Sequence, residues 1–354
     1  MRRGLMGWDQ AELPKSTLAT RLARLQAAMA RDGLDAYLIY TNLVRPSAVC
    51  WLTGFTPYWI ESILLVPRNG PPTLATALSK RVADWIRTTA WLDEIINTPK
   101  PGTAIGQRLN DCKRVGVLEL DALPAGLYDD LTAAAPAAEL IEASATFAGS
   151  RRMIDAAERG LIARADALAV AALDQVDVAT ATDAGALAGL VERHARLAAA
   201  EEAYIAVAAD LDADRRITRV SGPVPLSGRF VVRASIAYKG AWVRRTQTFA
   251  RDAAGMAVAA RGAAWLDGVA RSVGADRPIA AQLAAQVEKL PGATLNGFMA
   301  ESSIGTYPLE VIDSTRAPGK DAPMAGTFLV ISVDMTIDGI PWLGAAPAFV
   351  GGQA

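Results

Sequence analysis

The sequence predicts a two-domain α/β protein, and two observations carry this prediction. Across the first 150 residues, stretches with helical and strand-like spacing of apolar residues alternate. The second half opens with two Ala-rich stretches of helical spacing and continues with several strand-like segments. A chain of 354 residues, of which 51% are hydrophobic, can bury two cores. We expect an N-terminal domain at 1–148 and a C-terminal domain at 149–354.

The N-terminal elements follow in chain order. An apolar helical stripe ends before Gly33 and contains Leu18, Leu22, Leu25 and Met29. The apolar run at 36–40 then predicts a strand, "ESILLVPRNGPPTLAT" predicts two strands around a turn, "SKRVADWIRTT" a helix and "RVGVLEL" a strand. We interpret "DALPAGLYDDLTAAAPAAEL" as an Ala/Pro-rich connection to the second half.

The C-terminal elements begin with two long helices, at about 152–175 and 182–203. The elements after them are three strands, two helices and a final strand pair, at 204–209, 229–236, 241–249, 253–272, 278–290, 327–334 and 340–350.

The overall composition excludes several classes of function. With 36 Lys and Arg against 37 Asp and Glu, no global field attracts nucleic acid or an anionic membrane. The N-terminal segment "MRRGLMGWDQAELPKS" has no apolar stretch of signal-peptide length, and about 18 uninterrupted apolar residues, as a membrane span needs, occur nowhere in the sequence. Cys50 and Cys112 are too few for a disulfide framework or a thiolate zinc site. We expect a cytoplasmic protein that binds neither nucleic acid nor membranes and carries no cofactor.

The segment "FVVRASIAYKGAWVRRTQTFARD" predicts a β-hairpin with opposed arginines. If residues 237–240 form the turn, Arg233 faces Arg244; if the turn is one residue shorter, Arg233 faces Arg245. Like charges across a strand pair are destabilising, and a guanidinium does not lose its proton to relieve this. We therefore expect an anionic group between the two side chains.

Two kinds of anion could fill this place. One is a carboxylate, phosphate or sulfate on a small ligand, held by charge-assisted hydrogen bonds. The other is a protein carboxylate, for which the candidates are Glu301, Glu310 and Asp334. Arg216 and Arg219, in "DADRRITRVSGP", extend either cluster or lie in a solvated loop.

Two stretches of the sequence resemble a known family. "RLARLQAAMARDGLDAYLIY", with "WLTGF" after it, resembles the N-terminal domain of creatinase and prolidase-like proteins. "SRRMIDAAERGLIARADALAVAAL" is similar to the opening helix of their catalytic domain. The resemblance implies a small α/β domain followed by a pita-bread domain, an α+β fold with a curved, mainly antiparallel sheet.

The resemblance also implies where metal ligands would stand. Pita-bread peptidases hold two divalent metals with two Asp, one His and two Glu. The similar motifs place Arg233 and Arg244 at the aspartates, Ser302 at the histidine and Ser332 at the first glutamate, and 340–350 holds no acidic residue. We expect no metal ion. Creatinase uses a histidine base instead, but residues 204–230 contain none and His194 is expected on a helix surface.

Further side chains are candidates for the same pocket. "TPYWIES", with Tyr58 and Trp59, resembles the part of creatinase N-terminal domains near the partner subunit's active site, which implies a homodimer. Trp342 could stack on a flat substrate or pack in the core. The acid/base or hydroxyl candidates are Ser302, Tyr307, Glu310 and Asp334.

Two functional hypotheses follow. The first is a metal-independent, creatinase-like enzyme, of hydrolase or lyase type, that acts on a small anionic metabolite held by the arginine cluster. The second is a non-catalytic pseudo-peptidase that binds a ligand or a protein. A retained pocket with convergent polar groups favours the first, and a pocket closed by Arg–Glu pairs favours the second.

Overall fold

The computed structural model describes residues 8–57, 60–302 and 322–351, and the backbone of residues 311–313. The chain divides between Glu158 and Arg159 into two compact units. Within the described part of the chain, every helix is too short or too polar to span a membrane.

The N-terminal unit alternates helices and strands. Its helices are α1 (Lys15–Arg31), α2 (Ser47–Thr53), α3 (Ala83–Thr89), α4 (Pro101–Gly106), α5 (Ala125–Ala134) and α6 (Ser144–Arg151). Its strands are β1 (Ala36–Thr41), β2 (Ser62–Pro67), β3 (Thr73–Thr76), β4 (Glu94–Asn97), β5 (Arg114–Val117) and β6 (Glu139–Glu142). They form a mixed sheet in the order β4-β3-β2-β1-β5-β6, in which β1 is antiparallel to β2 and parallel to β5.

Apolar side chains cover both faces of this sheet. Tyr37 belongs to a buried cluster that contains Phe147 of α6, whereas Leu38, the next residue of β1, belongs to a cluster that contains Ile105 of α4. Because successive strand residues point to opposite faces, a central strand covered on both sides is apolar at every position. The uninterrupted apolar run at 36–40 is therefore explained.

One expectation for this unit is wrong. The Ala/Pro-rich segment at 121–140 is not a plain connection, because it contains α5 and the first residues of β6. Leu127 and Leu131, one helical turn apart, are buried and fix α5, and β6 extends the sheet parallel to β5.

The C-terminal unit is built on one antiparallel sheet. Its helices are α7 (Ala156–Leu173), α8 (Ala184–Leu197), α9 (Ala253–Ser272) and α10 (Ile279–Val287). Its strands are β7 (Glu202–Ala208), β8 (Arg229–Tyr238), β9 (Ala241–Ala250), β10 (Ala293–Glu301), β11 (Val311–Asp313), β12 (Phe328–Ile337) and β13 (Ile340–Phe349). Among the described residues the order is β11-β10-β12-β13-β9-β8-β7.

The core of this unit lies between the sheet and α9 and α10. Ile331 and Val333 of β12 are buried in one cluster with Val258 and Leu266 of α9. The residues between them in sequence, such as Ser332, point to the other face because side chains alternate along a strand. This second face is polar and carries two of the predicted arginines, Arg233 and Arg244.

Strand β10 is the main element that the sequence did not predict. Asn296 and Gly297 lie in its middle, and both residue types are depleted in strands. They coincide with a shift in the register between β10 and β12, located between Leu295 and Gly297. Such a bulge interrupts the alternation on which strand prediction depends.

The hairpin of β8 and β9 has a register that differs from both expected ones. Tyr238 pairs with Ala241, and Lys239 and Gly240 form the turn with φ angles of 47° and 80°. Two residues with positive φ match the twist of a tight hairpin. Arg233 therefore faces Thr246, and Arg244 faces Ser235, so the expected direct opposition of arginines is wrong.

Candidate functional site

The polar face of the C-terminal sheet is defined by residues that share one side of four neighbouring strands. A single row crosses β8, β9, β13 and β12, with Arg233 paired to Thr246, Thr246 to Ala345, and Ala345 to Ser332. Residues that face each other in antiparallel strands point to the same side of the sheet. The row is therefore a continuous strip of side chains, with Arg233 at one end.

An ion pair lies on one side of this row. Arg244 lies two residues before Thr246 on β9, and Glu301 lies two residues after Met299, which pairs with Ser332. The Arg244 Nη1 donates to Glu301 Oε2. Their side chains are only 15% and 12% exposed, so solvent screens the pair weakly. One of the three carboxylates proposed as an internal partner is thus engaged by one of the two arginines.

A second ion pair lies on the other side of the row. Arg215, from the loop that precedes β8, donates from Nη1 to Asp334 Oδ1 at 2.5 Å and from Nη2 to Thr336 at 3.2 Å. Asn296, at the bulge in β10, donates to the same Asp334 oxygen at 3.0 Å. The bulge thereby brings an amide onto the carboxylate of the neighbouring strand.

Arg233 has a different environment from these two arginines. Its Nε donates to Thr246 Oγ1 at 3.4 Å, and no carboxylate of a described residue lies within ion-pair distance. Burial and the nearby charge of Arg244 lower the pKa of Arg233 to about 10, although Glu301 opposes this effect. Since this value lies well above neutrality, the guanidinium is charged at pH 7.

A cavity of about 230 Å³ opens beside Arg233. Its polar lining includes Arg233, Thr246 and Ser332 from the row, together with the Arg215–Asp334 pair. The Ser332 hydroxyl oxygen is buried and has no hydrogen-bond partner among the described residues. Ser332, whose buried hydroxyl is unpartnered among the described residues, and Arg233, whose guanidinium has no described carboxylate in reach, therefore line one cavity, and each carries a hydrogen-bond donor.

Two predicted ligand-binding residues lie on the opposite, helix-covered face. Arg245 pairs with Ala234 and donates to Asp166 of α7 at 2.7 Å and to Asp267 of α9 at 3.2 Å. Trp342 is 2% exposed and packs closely against Gly262 of α9. The structure does not bring either residue to the cavity.

The remaining predicted residues are dispersed. Arg216 is 84% exposed and binds its neighbour Asp214. Ser302 directly follows the last residue of β10, next to Glu301. The other predicted residues lie outside the described part of the chain, and they are Tyr58, Trp59, Tyr307 and Glu310.

Sequence reasoning missed three residues of this face: Thr246, Asn296 and the pairing role of Arg215. Thr246 was accessible in principle, because it lies two residues from Arg244 on the same strand and so shares its face. Arg215 and Asn296 carry no comparable signal, because one lies in a loop and the other at a bulge.

The donors on the polar face do not suit a divalent metal ion. Such ions need carboxylate, imidazole or thiolate ligands, whereas Arg233 and Arg244 present positive charge. Glu301 and Asp334, the carboxylates described there, are bound to arginines. In the part of the chain that the structure describes, no group of three or more His, Cys, Asp or Glu could hold a metal ion.

Comparisons with known proteins agree with this architecture. Residues 21–153 match the family described as Creatinase/Prolidase N-terminal domain. No curated protein sequence matches the chain significantly.

Three solved structures share the fold over nearly the whole chain. The X-Pro aminopeptidase from Thermotoga maritima MSB8 has 14% identity and a TM-score of 0.71, over 92% of this chain and 95% of that one. The Xaa-Pro dipeptidase from Bacillus anthracis has 14% identity and a TM-score of 0.69, over 93% of each chain. The prolidase from Pyrococcus horikoshii OT3 has 14% identity and a TM-score of 0.66, over 94% and 95%. Residues 21–153 thus match a creatinase/prolidase N-terminal domain, and the chain shares the fold of these three structures, the pita-bread fold that the sequence resemblance predicted.

Proposed function

We propose that the C-terminal unit binds a small anionic molecule at Arg233 and does so without a metal ion. The observation that carries the proposal is the state of that guanidinium, which lies beside a cavity with no carboxylate of a described residue in reach. Removing a charge from water without a counter-charge is destabilising. An anion from solution would supply the counter-charge.

The neighbouring ion pairs support this reading. Arg244 is bound to Glu301 and Arg215 to Asp334, so a ligand does not have to displace a protein carboxylate to reach Arg233. Of the three arginines Arg215, Arg233 and Arg244, two form ion pairs within the protein. We assign the third, Arg233, to ligand binding.

We further propose a metal-free reaction of hydrolase or lyase type on the bound molecule. Arg233 would hold an anionic group of the substrate, and a fixed guanidinium can stabilise negative charge that develops during a reaction. Ser302, Asp334, Tyr307 and Glu310 remain the proposed proton-transfer or hydroxyl groups. Of these, Asp334 lines the cavity, where Arg215 and Asn296 orient its carboxylate.

A non-catalytic binding module is the second candidate, and one observation favours it. Each carboxylate described on the polar face is engaged by an arginine, and the histidine of this chain, His194, lies on α8. Described side chains therefore offer no obvious free base at the cavity. Mass spectrometry of a bound ligand after prolonged incubation distinguishes the two candidates, because an enzyme changes the mass and a binding module does not.

The experiment for the binding proposal is calorimetric titration of chelator-treated protein with acetate, sulfate and inorganic phosphate. We expect at least one anion to bind, and Arg233→Met to weaken it by about 100-fold, as for loss of a charge-assisted hydrogen bond. Arg277→Met is the matched control, because Arg277 is 60% exposed and absent from the cavity lining. Equal binding by the Arg233 variant, or no binding by the wild type, would contradict the proposal.

The homodimer and the cytoplasmic location stay predictions of the sequence. Tyr58 and Trp59, on which the dimer prediction rests, lie outside the described residues.

A further inference from the structure

The charge, the hydrogen-bonding groups and the apolar lining of the cavity together point to one class of ligand. We propose that the site takes a small monocarboxylate with a short apolar chain, whose carboxylate lies between Arg233 and Ser332. This inference rests on the proposed anion-binding function and specifies its ligand.

The described side chains that line the cavity carry one net positive charge. Among the described side chains that line the cavity, Arg215 and Asp334 neutralise each other, which leaves the single positive charge of Arg233. The adjacent pair of Arg244 and Glu301 is also neutral. A monoanion is therefore compensated in full, whereas a dianion such as hydrogen phosphate leaves an excess negative charge near Asp334.

The two donors, Arg233 and Ser332, lie on the same face of the sheet. Arg233 and Ser332 stand at the two ends of a row that crosses four strands, about 14 Å between the outer strands at the usual spacing. The Arg233 side chain reaches along the row, as its bond to Thr246 on the next strand shows. Ala345, between Thr246 and Ser332, contributes only a methyl group. A group with two acceptor oxygens can then receive a guanidinium on one oxygen and the Ser332 hydroxyl on the other.

The Ser332 hydroxyl lacks a hydrogen-bond partner among the described residues. It is buried and unpartnered among the described residues, which is unfavourable for the free protein. A carboxylate in the cavity would accept a hydrogen bond from this hydroxyl, and a neutral amide could also accept one but would not balance the charge of Arg233. Ser332 is thus a binding residue that distinguishes ligands by hydrogen bonding, while Arg233 distinguishes them by charge.

Part of the cavity lining is apolar. Ile217, Met299 and Leu343 line the same cavity. Its volume of about 230 Å³ is below the range of 300–1,000 Å³ that is usual for drug-sized ligands. The cavity therefore suits a molecule of a few carbon atoms that carries one charged end.

The test is calorimetric titration of the full chain with acetate, propionate, butyrate, valerate and hexanoate, and with butyramide, sulfate and inorganic phosphate. We expect affinity to rise by about fourfold for each methylene until the cavity is full. Butyramide should not bind, and sulfate and phosphate should bind at least about tenfold more weakly than the best carboxylate.

Ser332→Ala separates the role of this hydroxyl from a structural one. We expect butyrate affinity to fall about tenfold, while the melting temperature of the unliganded protein stays unchanged or rises, because no protein hydrogen bond is lost. Ser272→Ala is the control, since Ser272 donates to Val269 and is not part of the cavity lining; its butyrate affinity should equal that of the wild type.

The outcomes distinguish a failure of the monocarboxylate inference from a failure of the proposed anion-binding function. If sulfate or phosphate binds more tightly than every carboxylate, or if chain length or Ser332→Ala has no effect, the monocarboxylate inference is overturned and the anion site stands. If none of the anions binds, both are overturned.

Discussion

Arg233 differs from its neighbours because its charge has no described protein carboxylate to balance it. Arg244 and Arg215 each hold one, at Glu301 and Asp334. The pKa of Arg233 falls to about 10 through burial and the charge of Arg244, so the folded protein disfavours the charged form that exists at pH 7. Because the uncompensated charge is unfavourable, binding of an anion would stabilise the site.

The first prediction is that Arg233→Met raises the melting temperature of the unliganded protein at low ionic strength. The substitution removes a half-buried charge with an unfavourable folded-state environment, and each kcal/mol recovered raises the melting temperature by about 2–4 °C. Arg233→Lys, which keeps the charge, should give no such rise. A lower melting temperature for Arg233→Met in differential scanning calorimetry would mean that the guanidinium already has a partner.

The second prediction concerns Glu301. Glu301→Gln leaves Arg244 without its carboxylate and raises the net charge of the polar face by one unit. We expect affinity for inorganic phosphate to rise by about tenfold, because a second nearby positive charge favours a dianion, while affinity for acetate changes less. Unchanged phosphate affinity in calorimetric titration would show that Arg244 cannot turn towards the cavity.

For single residues, the sequence predicts which side chains share a face of the sheet, but not which of them bind each other. The period of two in β8 and β9 puts Arg233 and Arg244 on one side for any register that pairs odd with even positions. The assignment of Arg245 to the same site depended on a turn one residue shorter. The choice among Glu301, Glu310 and Asp334 as partners depended on strand pairing far apart in sequence, which local patterns do not contain.

The hairpin of β8 and β9 has a different task on each face. On the polar face Arg233 borders the cavity, and on the other face Arg245 binds Asp166 of α7 and Asp267 of α9. The two strands of the hairpin thus border the cavity on one face and bind helices α7 and α9 on the other.

The third prediction compares these two faces. Arg245→Met leaves two carboxylates without their partner, so we expect a loss of about 2 kcal/mol in the free energy of unfolding, measured by urea denaturation. The same substitution at Arg233 is expected to act in the opposite direction. A stability loss of similar size for both variants would contradict the assignment of Arg233 to ligand binding.

Strand β10 shows why some elements escape prediction. Its sequence "ATLNGFMAE" contains Asn296 and Gly297, which weaken strand propensity locally, and the strand forms because it pairs with β12 over most of its length. Pairing with β12, a strand distant in sequence, overrides the local preference. The same bulge places Asn296 on Asp334, so the irregular residue is also a residue of the site.

On the scale of the whole molecule, the fold could be predicted from resemblance and periodicity, but the state of the site could not. The two creatinase-like stretches indicated the fold, and the match of residues 21–153 and the fold shared with solved structures agree with it. Whether the arginines would be paired internally or open to a ligand depended on side-chain geometry, and the answer differs from one arginine to the next.

The fourth prediction is that the purified protein holds no stoichiometric transition metal. Arg233 and Arg244 occupy positions that the family resemblance assigns to metal-binding aspartates, and their charge repels a divalent ion. Plasma mass spectrometry of protein prepared without chelator should find far less than one Mn, Zn or Co per chain. One or two tightly bound ions per chain would contradict it.

The most direct test of the account is a crystal soaked in bromide, with anomalous diffraction recorded at the bromine edge. Bromide is a monoanion without shape preference, so it reports where a single negative charge is favoured. The account predicts an anomalous peak in contact with the Arg233 guanidinium inside the cavity, and its absence from Arg233→Met crystals. A wild-type map with bromide at other sites and none at Arg233, or with a protein carboxylate bound to that guanidinium, would contradict the account.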